Sequence, residues 1–493
     1  MKYLLGIDFG GGASKATLLS SQGEIVAEHS VEYKTYHPFA GACEQEPEEW
    51  LEALRENVRV VLEKSGIAAG EIACVAIDSA THTAVLCDGD KKPLRPAIHW
   101  TDSRSVEQAD RLRAPGMEWI VEQSYHKPDP IWTLPQLLWV REKEQELFAK
   151  IRYIFFEKDY IRYCLTGVYC TDYIEAEGSM LFDMRRQNWS PELCKLAGIS
   201  VEMLPPLVKP TDFVGKVTKE ASITTGLEMG TPVICGTTDT VLEVFAAGAV
   251  EERQMTVKLA TAGRICVVSK KAYPHPQLIN YSHIAEGLWY PGSATKSCAA
   301  SYRWYRDTFG GDYEELNRGA EEVPVGAEGL MFHPYLNGEL TPYGDPMLCG
   351  SFVGVRALHE KRHFTRAVME GLSMSLLDCL ETIKEIGMPV GEEAVLLGGG
   401  AKGSLWRQIT ADMLGITLKT TVSSDSSLGS AMLAGIAMGI FKDCRDAVDK
   451  CIKVAEVVVP NRENTALYRQ LYMRYKAVHD ALAPIYHERQ GMV

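Results

Sequence analysis

Apolar and polar positions alternate over the first thirty residues and again from residue 255, and between these stretches the apolar spacing turns helical. Residues 3–7 read as a strand, followed by a glycine-rich turn, a second strand over 16–19, a polar turn over 20–24 and a third strand from Ile25. That order predicts an antiparallel meander. From Pro47 to Gly66 the residues Trp50, Leu51, Leu54, Val58 and Val61 fall on one helical face, with proline suited to the first turn and glycine to the stop. Strands follow over 73–77 and 84–87, the latter ending in the turn Asp88-Gly89-Asp90. Alternating strands and helices predict an α/β domain.

A similar order restarts near residue 250: a strand over 255–259, the small-residue turn Ala260-Thr261-Ala262-Gly263 and a strand over 265–269. The faint likeness of GIDFGGGASKATLL to VKLATAGRICVVS suggests two halves of one design. Helical spacing of Phe364, Ala367, Val368, Leu372, Ser375 and Leu376 makes the second half α/β as well. We place the boundary by this restart, giving domains 1–247 and 248–493.

Composition narrows the function. With 51 basic against 65 acidic residues the net charge is −14, a field that repels nucleic-acid backbones and anionic membranes. The weakly polar stretch 428–441 is too short to span a bilayer, and Asp8 interrupts the start where a signal peptide stays apolar. The expectation is a cytoplasmic protein. Thirteen scattered cysteines form no CxxC pair and sit mostly in apolar runs, as small hydrophobes do rather than zinc ligands.

Three loops carry candidate chemistry. Asp8 ends the first strand before Gly10-Gly11-Gly12-Ala13-Ser14-Lys15, a turn whose backbone N–H groups can cradle phosphate while the carboxylate holds Mg²⁺ through water; an ordinary glycine hairpin has the same composition. Gly398-Gly399-Gly400-Ala401-Lys402-Gly403-Ser404 lies between a strand and a helix and satisfies GxGxxG, with Asp425 beyond the next strand, so a dinucleotide-binding unit is one reading. Asp239 in Gly236-Thr237-Thr238-Asp239-Thr240 is either a general base or the N-cap of a helix from Val241. His82, Trp100, Asp102 and Arg104 are further polar or aromatic singletons in apolar surroundings.

These pieces occur in an order that resembles the FGGY carbohydrate kinases, nearest to their xylulokinase-like members. The likeness runs through GIDFGGGASK, EQEPEEW, THTAVLCD, PLRPAIHWTDSR, KDYIRYCLTG, TDYIEAEGSMLFD and GTPVICGTTDT in the first half. In the second it runs through LATAG, PYLNGELTPYGDP, GSFVGVRALHEKRHFTRAVMEG, LLGGGAKGSLWRQITADMLG and DSSLGSAM. It implies two actin-like, hexokinase-like (RNase H-like) ATPase domains with the active site in the cleft between them. It implies Mg-ATP as phosphoryl donor, a small sugar as acceptor, and a homodimer. By the same resemblance Asp8 with Gly10, Gly11, Gly12, Ser14 and Lys15 forms the first phosphate loop and metal site, and Thr261 and Gly263 the second phosphate loop. Gly399, Gly400 and Ala401 match the adenosine loop, with Asp425 near its edge. Asp239 matches the catalytic base, also near the metal, and Thr81, His82, Trp100 and Thr240 line the sugar.

Departures bear on the substrate. Gly11 replaces the usual threonine, Ser79-Ala80-Thr81-His82-Thr83 stands where Gly-Gln-Met-His-Gly is common, Thr240 replaces an asparagine, Leu340 an arginine and Gln136 a lysine. A site built around particular hydroxyls discriminates strongly. The resemblance makes D-xylulose the leading substrate, and these departures open another ketose, an alditol or a sugar acid as alternatives. An NAD-dependent oxidoreductase and a non-catalytic sugar/ATP sensor are the readings from other classes.

Overall fold

The computed structural model describes residues 2–488. Two six-stranded mixed sheets organise it. The first is built from β1 (Tyr3–Phe9), β2 (Ala13–Ser20), β3 (Ile25–Glu32), β4 (Ile72–Ser79), β5 (Phe213–Lys216) and β6 (Pro232–Ile234), in the order β5-β6-β4-β1-β2-β3. The second comprises β7 (Met255–Leu259), β8 (Gly263–Val267), β9 (Gly292–Ala294), β10 (Glu393–Leu397), β11 (Thr417–Thr421) and β12 (Val454–Val458), in the order β9-β8-β7-β10-β11-β12. In each sheet an antiparallel meander is followed by two parallel strands and an antiparallel edge. The repeat suggested by a few residues is thus a repeat of topology.

The predicted meander is present, and β2 starts three residues earlier than its apolar run. Residues 84–87 form their strand in a separate four-stranded sheet with 44–45, 97–98 and 153–156. Helix α1 (Pro47–Ser65) follows the predicted span and buries Trp50, Leu54, Val58 and Val61 against one face of the first sheet, where Leu5, Ile7, Phe9, Ala16 and Leu18 point. The GxGxxG segment does lie in a β10–α–β11 crossover, the helix being α4 (Ser404–Leu414). The antiparallel β7–β8 hairpin beside β10 in that sheet departs from the mostly parallel dinucleotide fold, which counts against the NAD reading.

The opposite face of the first sheet is covered by a helix from the far end of the chain. Helix α5 (Ser426–Ala437) lies on β1, β4 and β2 and crosses α2 (Asp239–Ala246). Close approach explains its small residues: a Cβ on Gly6 would stand 2.0 Å from the Ser427 carbonyl oxygen, and one on Gly429 2.5 Å from that of Leu242. Thr17 meets Ser427 Oγ at 2.7 Å, and Ser430 Oγ donates to Asp78 at 2.5 Å. A second return, 278–290, packs Tyr281, Leu288 and Tyr290 into the core of the first half. Among the described residues no helix is long and apolar enough to cross a membrane. All thirteen cysteines are free thiols, and all but Cys164, Cys349 and Cys444 are buried.

Candidate active site

The β1–β2 and β7–β8 turns occupy equivalent places in the two sheets. In the first, the carbonyls of Gly10, Gly11 and Gly12 are held by Tyr33 Oη, by Gln45 Nε2 (3.0 Å) with Thr35 Oγ1 (3.1 Å), and by the Tyr33 N–H (3.1 Å). The N–H groups of Gly11 and Gly12 have no partner among the described residues, and nothing lies within 4 Å of a Cβ placed on Gly12. In the second, the Ala260 and Thr261 carbonyls accept from Ala299 (2.7 Å) and Cys298 (2.8 Å), while the Thr261 and Ala262 N–H groups are likewise unpaired. Gly263 is buried against Thr295 and against Leu376 of α3 (Lys361–Glu385). Pinned carbonyls and free donors make two anion cradles.

Carboxylates gather beside the first cradle. Asp8 and Asp78 are register partners on neighbouring strands, and each has one buried oxygen without a hydrogen-bond partner. Burial pushes the Asp8 carboxyl up to about 7, with Asp239 adding to the rise. Asp78 is raised well above its usual range by burial and by Asp8, so the pair holds a proton. Glu157 is fully buried with both oxygens unpaired, and burial together with Asp239 and Asp8 raises it well above the usual range.

Asp239 is not the helix cap. Thr238 occupies that position and Asp239 is the first residue of α2, half-buried, its Oδ1 accepting from Thr240 Oγ1 (3.1 Å) and Thr81 Oγ1 (3.4 Å). Its pKa is raised by burial; Lys258 works against the rise and Glu243 with it. The sharp entry to this loop requires Gly236, with φ +72° and a Cβ position 1.9 Å from the Ile77 carbonyl oxygen. Thr237 donates to Asp172 (2.8 Å), which belongs to a buried network with Lys158, Asp159 and Arg162. The loop that leads into Asp239 therefore stands on a buried ionic network.

Thr81 and His82, the residues expected on the sugar, lie beside Asp239, to which Thr81 donates at 3.4 Å. His82 is buried at φ +56° with its N–H on Glu175 Oε1 (2.5 Å), and burial lowers its imidazole to about 3. The aromatic against it is Trp132, at 4.8 Å, not Trp100. Trp100 is 41% exposed beside His99, whose ring approaches Gly11, so the sequence expectation for Trp100 is corrected to the rim of the first cradle. A Cβ on Gly178 would strike Thr81 and Tyr281, which brings Tyr281 of the second half beside Thr81.

Other assignments shift too. Ser14 is buried on the α1 face, bonded to Asn57 (2.9 Å), so its side chain is turned away from the cradle. Lys15 Nζ is engaged by Asp425 (2.6 Å) and Glu28 (2.7 Å), and Asp425 caps α5 through the Leu428 N–H (3.2 Å). Both therefore tie the first sheet to α5. Gly399 is exposed with open space above it, Gly400 packs on Leu259 and Trp406, and Ala401 is half-buried. Gln136 is buried on the Ile131 carbonyl (3.2 Å), whereas Leu340 is exposed. Sequence reasoning missed Asp78 and Glu157. Asp78 was detectable, because IDS ends β4 as IDF ends β1.

Among the described residues no three His, Cys, Asp or Glu side chains are set to chelate a metal. The orphaned oxygens of Asp8, Asp78 and Glu157 fit a hard cation held through one or two carboxylates and water, as Mg²⁺ prefers.

Residues 3–246 match the N-terminal domain, and residues 234–438 the C-terminal domain, of the FGGY family of carbohydrate kinases. The chain is 33% identical over 484 residues to xylulose kinase of Bacillus subtilis (strain 168), covering 97% of each. The ligand-bound xylulose kinase structure from Lactobacillus acidophilus superposes with a TM-score of 0.93 at 25% identity, covering 99% of this chain and 100% of that one. A gluconate kinase structure from the same organism gives 0.92 at 26%, covering 99% of both. With both family domains matched and a relative aligned over nearly the whole length, the chain belongs to the FGGY family of carbohydrate kinases.

Proposed function

We propose that this carbohydrate kinase transfers the γ-phosphoryl of Mg-ATP to a hydroxyl of a ketopentose, D-xylulose to D-xylulose 5-phosphate, with Asp239 as general base. The observation that carries the assignment is the position of Asp239 at the start of α2, bonded to Thr81 and beside the Asp8–Asp78 pair. The relatives named for xylulose support the sugar; the gluconate kinase likeness keeps a sugar acid as the second reading.

Phosphoryl transfer needs positioning and charge neutralisation more than covalent work. Thr81, His82, Trp132 and Tyr281 would hold the sugar so that one hydroxyl meets Asp239, with Thr240 steadying the carboxylate. As the hydroxyl oxygen bonds phosphorus and ADP leaves, the hydroxyl proton passes to Asp239. The free N–H groups of Gly11, Gly12, Thr261 and Ala262 would donate to phosphate oxygens; one well-placed donor is worth about 3 kcal/mol. Asp8, with Asp78 and Glu157 near it and Asp239 across, would hold Mg²⁺, which neutralises phosphate charge when bound. Gly399, Gly400 and Ala401 would line the adenosine.

In this reading residues 1–247 carry sugar, first cradle and base, and residues 248–493 the second cradle and adenosine loop. The enzyme is cytoplasmic and a homodimer, the latter checked by light scattering on the eluting protein. The decisive experiment is ADP release across ketopentoses, other ketoses, alditols and sugar acids, with Asp239→Ala beside the wild type. Turnover on D-xylulose that the substitution reduces at least a thousandfold, with nucleotide binding kept, is the expected result. Full turnover in the variant would remove Asp239 as the base.

A further inference from the structure

Buried arginines in this protein are otherwise neutralised. Arg162 lies 2.7 Å from Asp159, Arg366 2.7 Å from Glu370, and Arg104 2.7 Å from Glu44 and 2.8 Å from Asp102. Arg264 is the exception. It follows Gly263 of the second cradle on β8, and none of its nitrogens makes an ion pair or a hydrogen bond among the described residues. Nε and one terminal nitrogen are sealed from solvent, with Nε 3.1 Å from a Cβ position on Gly292. A guanidinium offers five donors in a fixed fork, and leaving them unpaired inside a protein is costly.

Its surroundings show where the group points. The guanidinium carbon stands 5.8 Å from the Tyr290 ring centre, and Tyr290 stacks on Tyr281 at 5.8 Å. Tyr281 reaches Thr81 and His82 beside Gly178. Thr238, in the loop that leads into Asp239, and Tyr290 each keep a buried hydroxyl without a partner. The neighbouring carboxylate, Glu243, is already engaged by Lys258, the register partner of Arg264, at 2.7 Å. Arg264 thus sits where the second cradle, the loop that leads into Asp239 and the residues expected on the sugar meet.

Resting on the kinase reading above, we infer that Arg264 is a specificity-determining residue that receives an anionic oxygen group from the acceptor side of the cleft, either the carboxylate of a sugar acid or the phosphoryl of the sugar phosphate product. Planar, bidentate recognition of such groups is what an arginine supplies and a lysine supplies only as a point charge. The unmet donors at the junction are then the protein's half of a ligand contact, and a neutral ketose leaves them unfilled until its phosphoryl group arrives.

The test is calorimetric titration of full-length wild type, Arg264→Gln and Arg264→Lys with D-xylulose, D-gluconate, D-xylonate and inorganic phosphate, each with and without ADP. ADP affinity and melting temperature report that each variant is folded; should Arg264→Gln not fold, Arg264→Lys and the wild type still decide. We expect at least one of the anions to lose tenfold or more beyond any loss for D-xylulose in Arg264→Gln, with partial recovery in Arg264→Lys. Loss confined to the sugar acids identifies the carboxylate, and loss confined to inorganic phosphate the product phosphoryl. Wild-type protein that binds none of these anions, or parallel losses for neutral and anionic ligands, would overturn the inference. Binding is read without turnover, so failure here leaves the Asp239 assignment, judged by ADP release, untouched.

Discussion

Replacing Gly429 with alanine sets two opposing effects against each other. In a helix interior alanine gains about 1 kcal/mol over glycine, so propensity alone predicts a more stable protein. At this position the new Cβ would lie 2.5 Å from the Leu242 carbonyl oxygen, 2.9 Å from its Cβ and 3.0 Å from its carbonyl carbon. Backbone atoms on both sides cannot swing aside, so α5 and α2 must separate, and overpacking of this kind costs up to about 3 kcal/mol. The clash wins by about 2 kcal/mol. At the lower end of the usual conversion that is a fall in melting temperature of about 4 °C, measured by calorimetry at fixed protein concentration. Because α2 begins with Asp239, the same separation displaces the carboxylate proposed as base, and kcat falls by about tenfold or more. Gly12→Ala is the matched control: no atom lies within 4 Å of its Cβ position, so melting stays within about 1 °C while phosphate binding suffers. An unchanged or raised melting temperature in Gly429→Ala would show that the crossing tolerates a methyl group and refute the reasoning.

Other outcomes follow from the buried charges. Burial pushes Glu177 up from 4.5 to about 8 and Glu339 to about 7, so from about pH 4.5 up to about 8 the folded protein holds protons that the unfolded chain has lost. Stability therefore falls as pH rises through that window, by about 1.4 kcal/mol per pH unit for each such group, and Glu177→Gln should flatten part of the melting-temperature slope, the rest belonging to Glu339 and to other raised carboxyls, Asp8 with Asp78 and Glu157 among them. The histidines His82, His126 and His283, held neutral by burial, titrate below it. Lys15→Met removes the tie to Asp425 and Glu28: melting temperature drops slightly, whereas the equilibrium dissociation constant for Mg-ATP stays within twofold. A large loss of nucleotide affinity would return Lys15 to the phosphate. Chelating divalent cations should abolish ADP release on every sugar while leaving sugar binding, followed by tryptophan fluorescence, in place.

Local pattern revealed most of the first sheet, because β1, β2 and α1 each bury a face whose period the chain displays. Strand-end Asp8 and the small-residue turns were legible for the same reason. Ser14 misled because the apolar run begins at Ala16, whereas pairing of Ala13 with Glu32 starts the strand earlier and turns Ser14 toward α1. Asp425 carried its own signal as a preferred cap before Ser426, one that the glycine-loop reading overrode. Trp132, Tyr281 and Arg264 were not legible as neighbours of the cleft. Their positions depend on contacts between distant segments, which no local periodicity encodes.

The cover that α5 lays over the first sheet has a consequence for synthesis. Thr17 waits for Ser427 across 410 residues, and Asp78 for Ser430 across 352. At translation rates of 5–20 residues per second the first of these gaps lasts about 20–80 s. During that interval the face bearing Leu4, Gly6 and Thr17 has no helix to bury it. The half that carries Asp239 is thus the first made and the last completed, and a nascent-chain holdase should engage it until the final hundred residues emerge.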